Sequence, residues 1–139
     1  TADQLSRRLD ALRANLQNLA RIPQASYDEF AADFRNVASA LYLLQTSIQA
    51  LIDLAGSRLA DRALRTPRTS HDVFEVLEEA KLVPPGTAKR AAPIVGFRNR
   101  VVHLYDRVDD RRVYEILVGH RHDIAEILDL LLAIGEAKS

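Results

Sequence analysis

Cysteine is absent from this chain of 139 residues, and neither sign of charge dominates it. The absence excludes disulfides, thiolate metal ligands and cysteine nucleophiles, and it fits the reducing cytoplasm, where we expect the protein to work. The 19 basic and 19 acidic side chains give a formal net charge of zero. A neutral chain has no overall attraction to nucleic acid or to an anionic membrane, so any such contact must use a local patch of charge.

Signals for secretion, for crossing a bilayer and for the common catalytic classes are also missing from the sequence. Residues 1–17 are charged and amphipathic, and no segment reaches the uncharged length that a membrane span requires. We therefore expect a small soluble protein with no membrane partner. The chain has no G-x-x-x-x-G-K phosphate loop, no G-x-S-x-G elbow and no H-E-x-x-H zinc motif, which excludes several widespread enzyme classes.

Apolar residues repeat with helical spacing along almost the whole chain, and alternating strand patterns are nearly absent. A first helix carries a leucine stripe, and a long second helix follows a capping box at Ser26 and Glu29, with one apolar stripe over 30–59. A short third helix, a fourth from about Thr87 that contains Pro93, and a final helix complete the pattern. The sequence therefore predicts one all-α domain over 1–139, an antiparallel bundle of about five helices.

The segment 96–105 puts an unusual group of polar side chains on a helix that is otherwise apolar. Arg98, Asn99, His103 and Tyr105 lie close together in this segment. Histidine can act as general acid or base near neutral pH, and arginine can hold a phosphate and stabilise its developing charge. Asn99 can orient the imidazole or the phosphate, and Tyr105 adds a hydroxyl. The set suits RNA cleavage by the ribose 2′-hydroxyl without metal or cofactor, while a structural polar network is the alternative that the residues alone leave open.

The helical angles of this segment separate the two principal side chains. Asn99 and His103 are four residues apart and share a face, whereas Arg98 and His103, five apart, lie about 140° from each other around the axis. They therefore flank a polar arc instead of stacking. One histidine cannot easily be both base and acid, and a second copy of the chain would supply another. We therefore expect a homodimer in which this arc faces a groove between the subunits.

The same segment resembles the motif of a known family. Residues 98–103 match the R-x-x-x-x-H pattern of HEPN-domain ribonucleases, and residues 98–105 extend it to the R-x-x-x-x-H-x-Y of HepT toxins from HepT/MntA toxin–antitoxin systems. The flanking segments 95–99, 105–109 and 113–117 and the long second helix are similar too, so the resemblance covers most of the chain. It implies a HEPN-like fold and a homodimeric, metal-independent ribonuclease toxin that cleaves cellular RNA, either transfer RNA or messenger RNA.

The resemblance also implies roles for individual residues. Arg98 and His103 would be the catalytic pair, with Asn99 in support. A cognate MntA-like nucleotidyltransferase antitoxin would adenylylate Tyr105. The added nucleotide would place bulk and negative charge where an RNA phosphate must bind.

Basic side chains outside the catalytic pair offer a local surface for RNA. Four of them follow helical spacing into a loop, where the alternative is a solvated face paired with Asp61. The candidates for contact with a phosphate backbone are Arg58, Arg62, Arg65, Arg68 and Arg100.

His120 and His122 do not form a metal site on this pattern. Two residues apart on a helix, they point about 200° away from each other and cannot share one ion locally. The sequence therefore predicts no metal ligands.

A second class of function stays open at this point. The protein would then be a non-catalytic helical interaction module, in which the arc around Arg98 binds a nucleotide or a partner nucleotidyltransferase and Tyr105 is structural. Incubation with RNA in the presence of a chelator separates the two hypotheses, because only the enzyme cleaves.

Overall fold

The computed structural model describes residues 2–104 and 109–135, with the side chains of residues 2 and 102–104 excepted. These residues form helices and no strand, which confirms the all-α prediction. There are six helices in the described part of the chain: α1 (Ala2–Arg21), α2 (Tyr27–Ala31), α3 (Phe34–Ala60), α4 (Ser70–Glu79), α5 (Thr87–Leu104) and α6 (Asp110–Ile134).

The predicted long second helix is in fact two helices, so the single stripe over 30–59 is wrong at its start. Ser26 caps α2 through a bond from the Glu29 amide, but α2 lasts only five residues. Asp33 then accepts a hydrogen bond from the Arg35 amide at 2.9 Å and begins α3. The turn between the two helices buries Phe30 completely and leaves Phe34 79 % exposed.

Helix α3 is the centre of the bundle and contacts all five other helices. Among the described residues, α3 is also the helix whose length and apolar composition would allow it to cross a bilayer. We expected no such segment from the sequence. The finding is weak evidence for a membrane span, because the core helix of a bundle passes the same test, and α3 supplies Leu44, Ile48 and Leu51 to a core in which each is fully buried.

Helices α5 and α6 form an antiparallel hairpin. They pack against each other and are joined by a short connection, which forces the second helix to run back along the first. Arg90 of α5 shows which residues of the two helices lie opposite each other, because its guanidinium pairs with Asp123 at 2.9 Å and with Glu126. Pro93 lies inside α5 without ending it.

The start of α5 is held against the end of α4 by one carboxylate. Glu78 Oε1 accepts hydrogen bonds from the amides of Gly86 and Ala88, each at 3.0 Å. Gly86 has a φ of +94°, a backbone conformation that favours glycine and lets the chain turn into the helix. His71 adds a second link, since its Nε2 lies 2.8 Å from the carbonyl oxygen of Ala88. The rotation and height of α5 are therefore fixed at its first turn.

Candidate functional site

Helix α5 carries the motif, and buried apolar residues fix which of its faces is exposed. Ile94, Phe97 and Val101 are at most 3 % exposed and follow the spacing of three and four residues that marks one side of a helix. Arg98 and Asn99 lie beside this side and are half-buried, while Arg100 is exposed. The motif therefore begins at the boundary between core and solvent, where polar side chains can meet a ligand.

Arg98 is oriented by its neighbour. Its Nη1 donates a hydrogen bond to Asn99 Oδ1 at 3.1 Å. A guanidinium has five N–H groups, so this bond holds the side chain and leaves others to bind an anion. This contact differs from the role expected of Asn99, which was to orient the imidazole or the phosphate, and that role stays a prediction.

The rest of the motif is only partly covered by the described residues. Position 103 lies in the last turn of α5, but the side chain of His103 is outside the description. Tyr105 lies outside the described residues altogether. The pairing of Arg98 with His103 and the modification of Tyr105 therefore stay predictions.

Arg58 does not belong to an RNA-binding surface, contrary to the expectation from its spacing. Its side chain is buried, with 4 % of the residue exposed, and its Nε donates to the carbonyl oxygen of Leu131 at 3.1 Å. Arg62 is half-buried and donates from Nη1 to the carbonyl oxygen of Arg58 at 2.7 Å. A buried arginine is tolerated only where its donors find partners. The bond to Leu131 supplies such a partner and links α3 to α6.

Arg65 is engaged in ion pairs, although not with Asp61. Its two terminal nitrogens each bond one oxygen of Asp72 at 2.8 Å, and Glu79 accepts from it at 2.9 Å. Hydrogen bonds from Arg65 hold the pKa of Asp72 far below its usual range and also lower the pKa of Glu79. Asp72 accepts from the backbone amide of Arg68 as well, at 2.9 Å. Arg65 is therefore a clamp that closes the loop between α3 and α4.

Three of the candidate arginines are exposed or half-buried residues: Arg62, Arg68 and Arg100. Binding of RNA by these side chains stays a prediction. The row of four arginines does not form as one surface, because one member is buried and another is bound by two carboxylates.

His120 and Asp123 form a polar pair on α6. The Nδ1 of His120 lies 3.0 Å from Asp123 Oδ2, and Asp123 also accepts from Arg90 of α5. Burial raises the pKa of Asp123, but the hydrogen bonds from His120 and Arg90 outweigh it and lower the pKa overall. This histidine therefore belongs to the link between α5 and α6.

One basic side chain that we did not single out from the sequence lies on α6. Arg112 lies in the first turn of α6, is half-buried and pairs with Glu115 at 3.1 Å. Because Arg112 lies on a different helix from the motif, helical spacing within one segment could not single it out.

Comparison with known proteins identifies the family of this chain. Residues 12–131 match the family described as Ribonuclease HepT-like. The chain is 31 % identical over 107 residues to the tRNA nuclease HepT of Aphanizomenon flos-aquae, covering 77 % of this chain and 73 % of that protein. It is 28 % identical over 117 residues to the mRNA nuclease HepT of Shewanella oneidensis, covering 83 % and 88 %.

The fold is also similar to a solved structure. The tri-AMPylated Shewanella oneidensis HEPN toxin, in complex with MNT antitoxin, aligns with a TM-score of 0.79 and 22 % identity over 93 % of this chain and 96 % of that one. At this identity the likeness shows the fold, and the sequence match shows the family. The chain belongs to the HepT-like ribonuclease family.

Proposed function

We propose that this protein is a metal-independent endoribonuclease and the toxin of a toxin–antitoxin pair. The observation that carries the proposal is the geometry at the start of the motif: Arg98, half-buried and held by Asn99, on a helix whose rotation the core fixes. Membership of the HepT-like family over residues 12–131 supports it, and so do the related nucleases that act on tRNA and mRNA. We infer transfer RNA or messenger RNA as the substrate.

The proposed reaction uses only groups of the protein and the RNA. His103 accepts the proton of a ribose 2′-hydroxyl, whose oxygen attacks the adjacent phosphorus. The bond from phosphorus to the 5′-oxygen breaks, and that oxygen takes a proton from His103 of the partner subunit, leaving a 2′,3′-cyclic phosphate and a 5′-hydroxyl. Arg98 stabilises the negative charge that grows on the phosphate oxygens.

The need for a second proton donor is the reason to propose a homodimer. The motif lies at the edge of the bundle, so two copies that meet at this edge can share one groove. We place this dimer in the cytoplasm, in agreement with the absence of cysteine.

The proposed control of the enzyme is adenylylation of Tyr105 by a nucleotidyltransferase antitoxin. The similar structure that contains a tri-AMPylated HEPN toxin with MNT antitoxin supports this partner and this chemistry. In the transfer, the tyrosine oxygen attacks the α-phosphate of ATP and pyrophosphate leaves. The product carries negative charge two residues from His103, where it repels an RNA phosphate.

Cleavage of labelled RNA in the presence of EDTA tests the catalytic proposal. We expect the purified parent to cleave and to leave cyclic-phosphate ends, while His103→Ala and Arg98→Ala each lose about 10²–10⁴-fold in rate. Arg13→Ala is a matched control, because Arg13 is exposed on α1, a helix without contact to α5 in the described part of the chain. Intact RNA with the parent would contradict the enzyme and favour the interaction module.

Mass spectrometry of the protein co-expressed with its antitoxin tests the control. We expect a mass increase by adenylate units that maps to Tyr105 and is absent from Tyr105→Phe. Neutralised protein with an unmodified Tyr105 would show that the antitoxin acts by occlusion instead.

A further inference from the structure

The antiparallel register of α5 and α6 determines which residues lie level with the catalytic end of α5. Arg90 pairs with both Asp123 and Glu126. Arg112 is eleven residues before Asp123 and fourteen before Glu126 on α6. In an antiparallel pair, the residues level with it on α5 are the same numbers of residues after Arg90, which are positions 101 and 104. At about 1.5 Å per residue, both levels are roughly 16–21 Å from the ion pairs. Arg112 is therefore level with position 103.

The face of α6 on which Arg112 lies is the face turned to α5. Arg112 and Asp123 are eleven residues apart, which is about 20° more than three complete turns, so they share one side of the helix. Asp123 is bound to Arg90 of α5, and this contact identifies that side. Ile116, which lies between them on the same side, is fully buried. Arg112 therefore stands at the edge of the seam between the two helices.

Arg100 borders the same seam from the side of α5. It is ten residues after Arg90, which is about 80° short of three complete turns, so it lies beside the face of α5 that Arg90 turns to α6. It is also exposed. Arg100 and position 103 are three residues apart on α5 and are neighbours on the helix surface. Two arginines thus border the outer groove between α5 and α6 at the height of the catalytic histidine.

The geometry points to a phosphate-binding subsite formed by Arg100 and Arg112, which holds the RNA strand next to the bond that is cleaved. The inference rests on the proposed ribonuclease function and adds a substrate contact on α6. Two guanidinium groups across a groove suit successive phosphates of a single strand, because arginine binds phosphate oxygens with paired donors. The subsite also answers how a chain of zero net charge attracts RNA, through a local pair of cations.

Glu115 sets the strength of the subsite. Its carboxylate pairs with Arg112 at 3.1 Å, and both side chains are substantially exposed, 40 % for Arg112 and 53 % for Glu115. An exposed pair of this kind is weak, so a phosphate can displace the carboxylate. RNA must compete with Glu115 for Arg112, and removal of the carboxylate should therefore tighten binding.

Binding of a fluorescent single-stranded RNA of about 12 nucleotides tests the subsite. Variants are made in the full chain with His103→Ala, so that RNA stays intact. We expect Arg112→Ala and Arg100→Ala each to weaken binding about five- to tenfold and to reduce the slope of log K against log salt by about 0.7. Arg112→Lys should keep the slope, because it keeps the charge, and Glu115→Gln should tighten binding two- to threefold.

Two control variants match these changes in charge on α1, which does not contact α5 within the described ranges: Arg13→Ala and Asp10→Asn. In the catalytically intact chain, Arg112→Ala should raise KM for the same RNA by a similar factor and leave kcat within twofold.

The outcomes separate this inference from the proposed function. If the parent cleaves RNA and Arg112→Ala binds and cleaves like Arg13→Ala, the subsite is wrong and the ribonuclease stands. A parent chain that neither cleaves nor binds RNA overturns both. A fall in kcat without a change in KM or in the salt slope also overturns the subsite, because it would place Arg112 in positioning the chemistry instead of holding the strand.

Discussion

Arg58 carries its charge at a site that is 4 % exposed, and its Nε donates to the carbonyl oxygen of Leu131, 73 residues away. We expect Arg58→Ala to lower the free energy of unfolding by about 2–4 kcal/mol, because it removes the bond, leaves that carbonyl without this donor and opens a cavity. Arg68→Ala should change it by less than about 0.5 kcal/mol, since that side chain is exposed. Urea unfolding followed by circular dichroism measures both. Equal stabilities would refute a structural role for Arg58.

The clamp around Arg65 makes stability depend on acid. Hydrogen bonds from Arg65 lower the pKa of Asp72 and of Glu79 below their ordinary values of 3.8 and 4.5. A lowered pKa in the folded state means that the stabilisation is complete above the ordinary pKa and is lost as pH falls toward the lowered one.

We therefore expect the thermal midpoint of the parent to fall as the pH drops below about 4.5. Asp72→Asn should be less stable than the parent at pH 7 and should lose less on acidification. Thermal scans from pH 7 to pH 2 test this. A steeper acid loss in Asp72→Asn than in the parent would contradict the clamp.

Among the helices, the break between α2 and α3 is the clearest departure from the sequence pattern. Phe30 is fully buried and Phe34 is 79 % exposed, although both fit one apolar stripe. Phe30→Ala should cost about 3–5 kcal/mol in the free energy of unfolding, whereas Phe34→Ala should cost less than about 0.5 kcal/mol in the monomer. Urea titrations of the two variants side by side measure the difference. A similar loss of stability in both variants would mean that Phe30 and Phe34 lie on one continuous buried face, without a break between α2 and α3.

The helices themselves could be predicted because periodicity and caps are local. The serine at position 26 caps a helix as expected, and Thr87 begins one. The second cap at Asp33 was missed because one aspartate within an apolar pattern is ambiguous until its contact with the Arg35 amide is known. For Arg58 a signal existed, since it follows Leu51 and Ala55 at core spacing, but its acceptor on α6 is visible only in three dimensions.

For the whole molecule, the proposed function requires two copies of the chain. We expect light scattering of the purified protein to give about twice the 15.5 kDa of one chain. Dilution that produces monomers should abolish cleavage, because each site then lacks its second histidine. Full activity at a mass of one chain would contradict the shared groove and would leave a single histidine to act in turn as base and acid.

The candidate site could be predicted only as far as it lies on one segment. Arg98 and Asn99 are adjacent in sequence, and their contact at 3.1 Å follows from that. Arg112 belongs to another helix, and its level depends on an ion pair between Arg90 and Asp123 that no local pattern contains. Contacts between helices depend on register, which a single sequence without aligned relatives does not reveal.

Since every other helix rests on α3, no helix can leave the bundle without exposing part of it. Amide protons near Leu44, Ile48 and Leu51 should therefore exchange with deuterium only when the entire chain unfolds. Those of the five-residue α2 should exchange sooner, through local opening that spares the rest. The slowest exchange rates would thus report total stability, while the outer helices remain free to fluctuate individually.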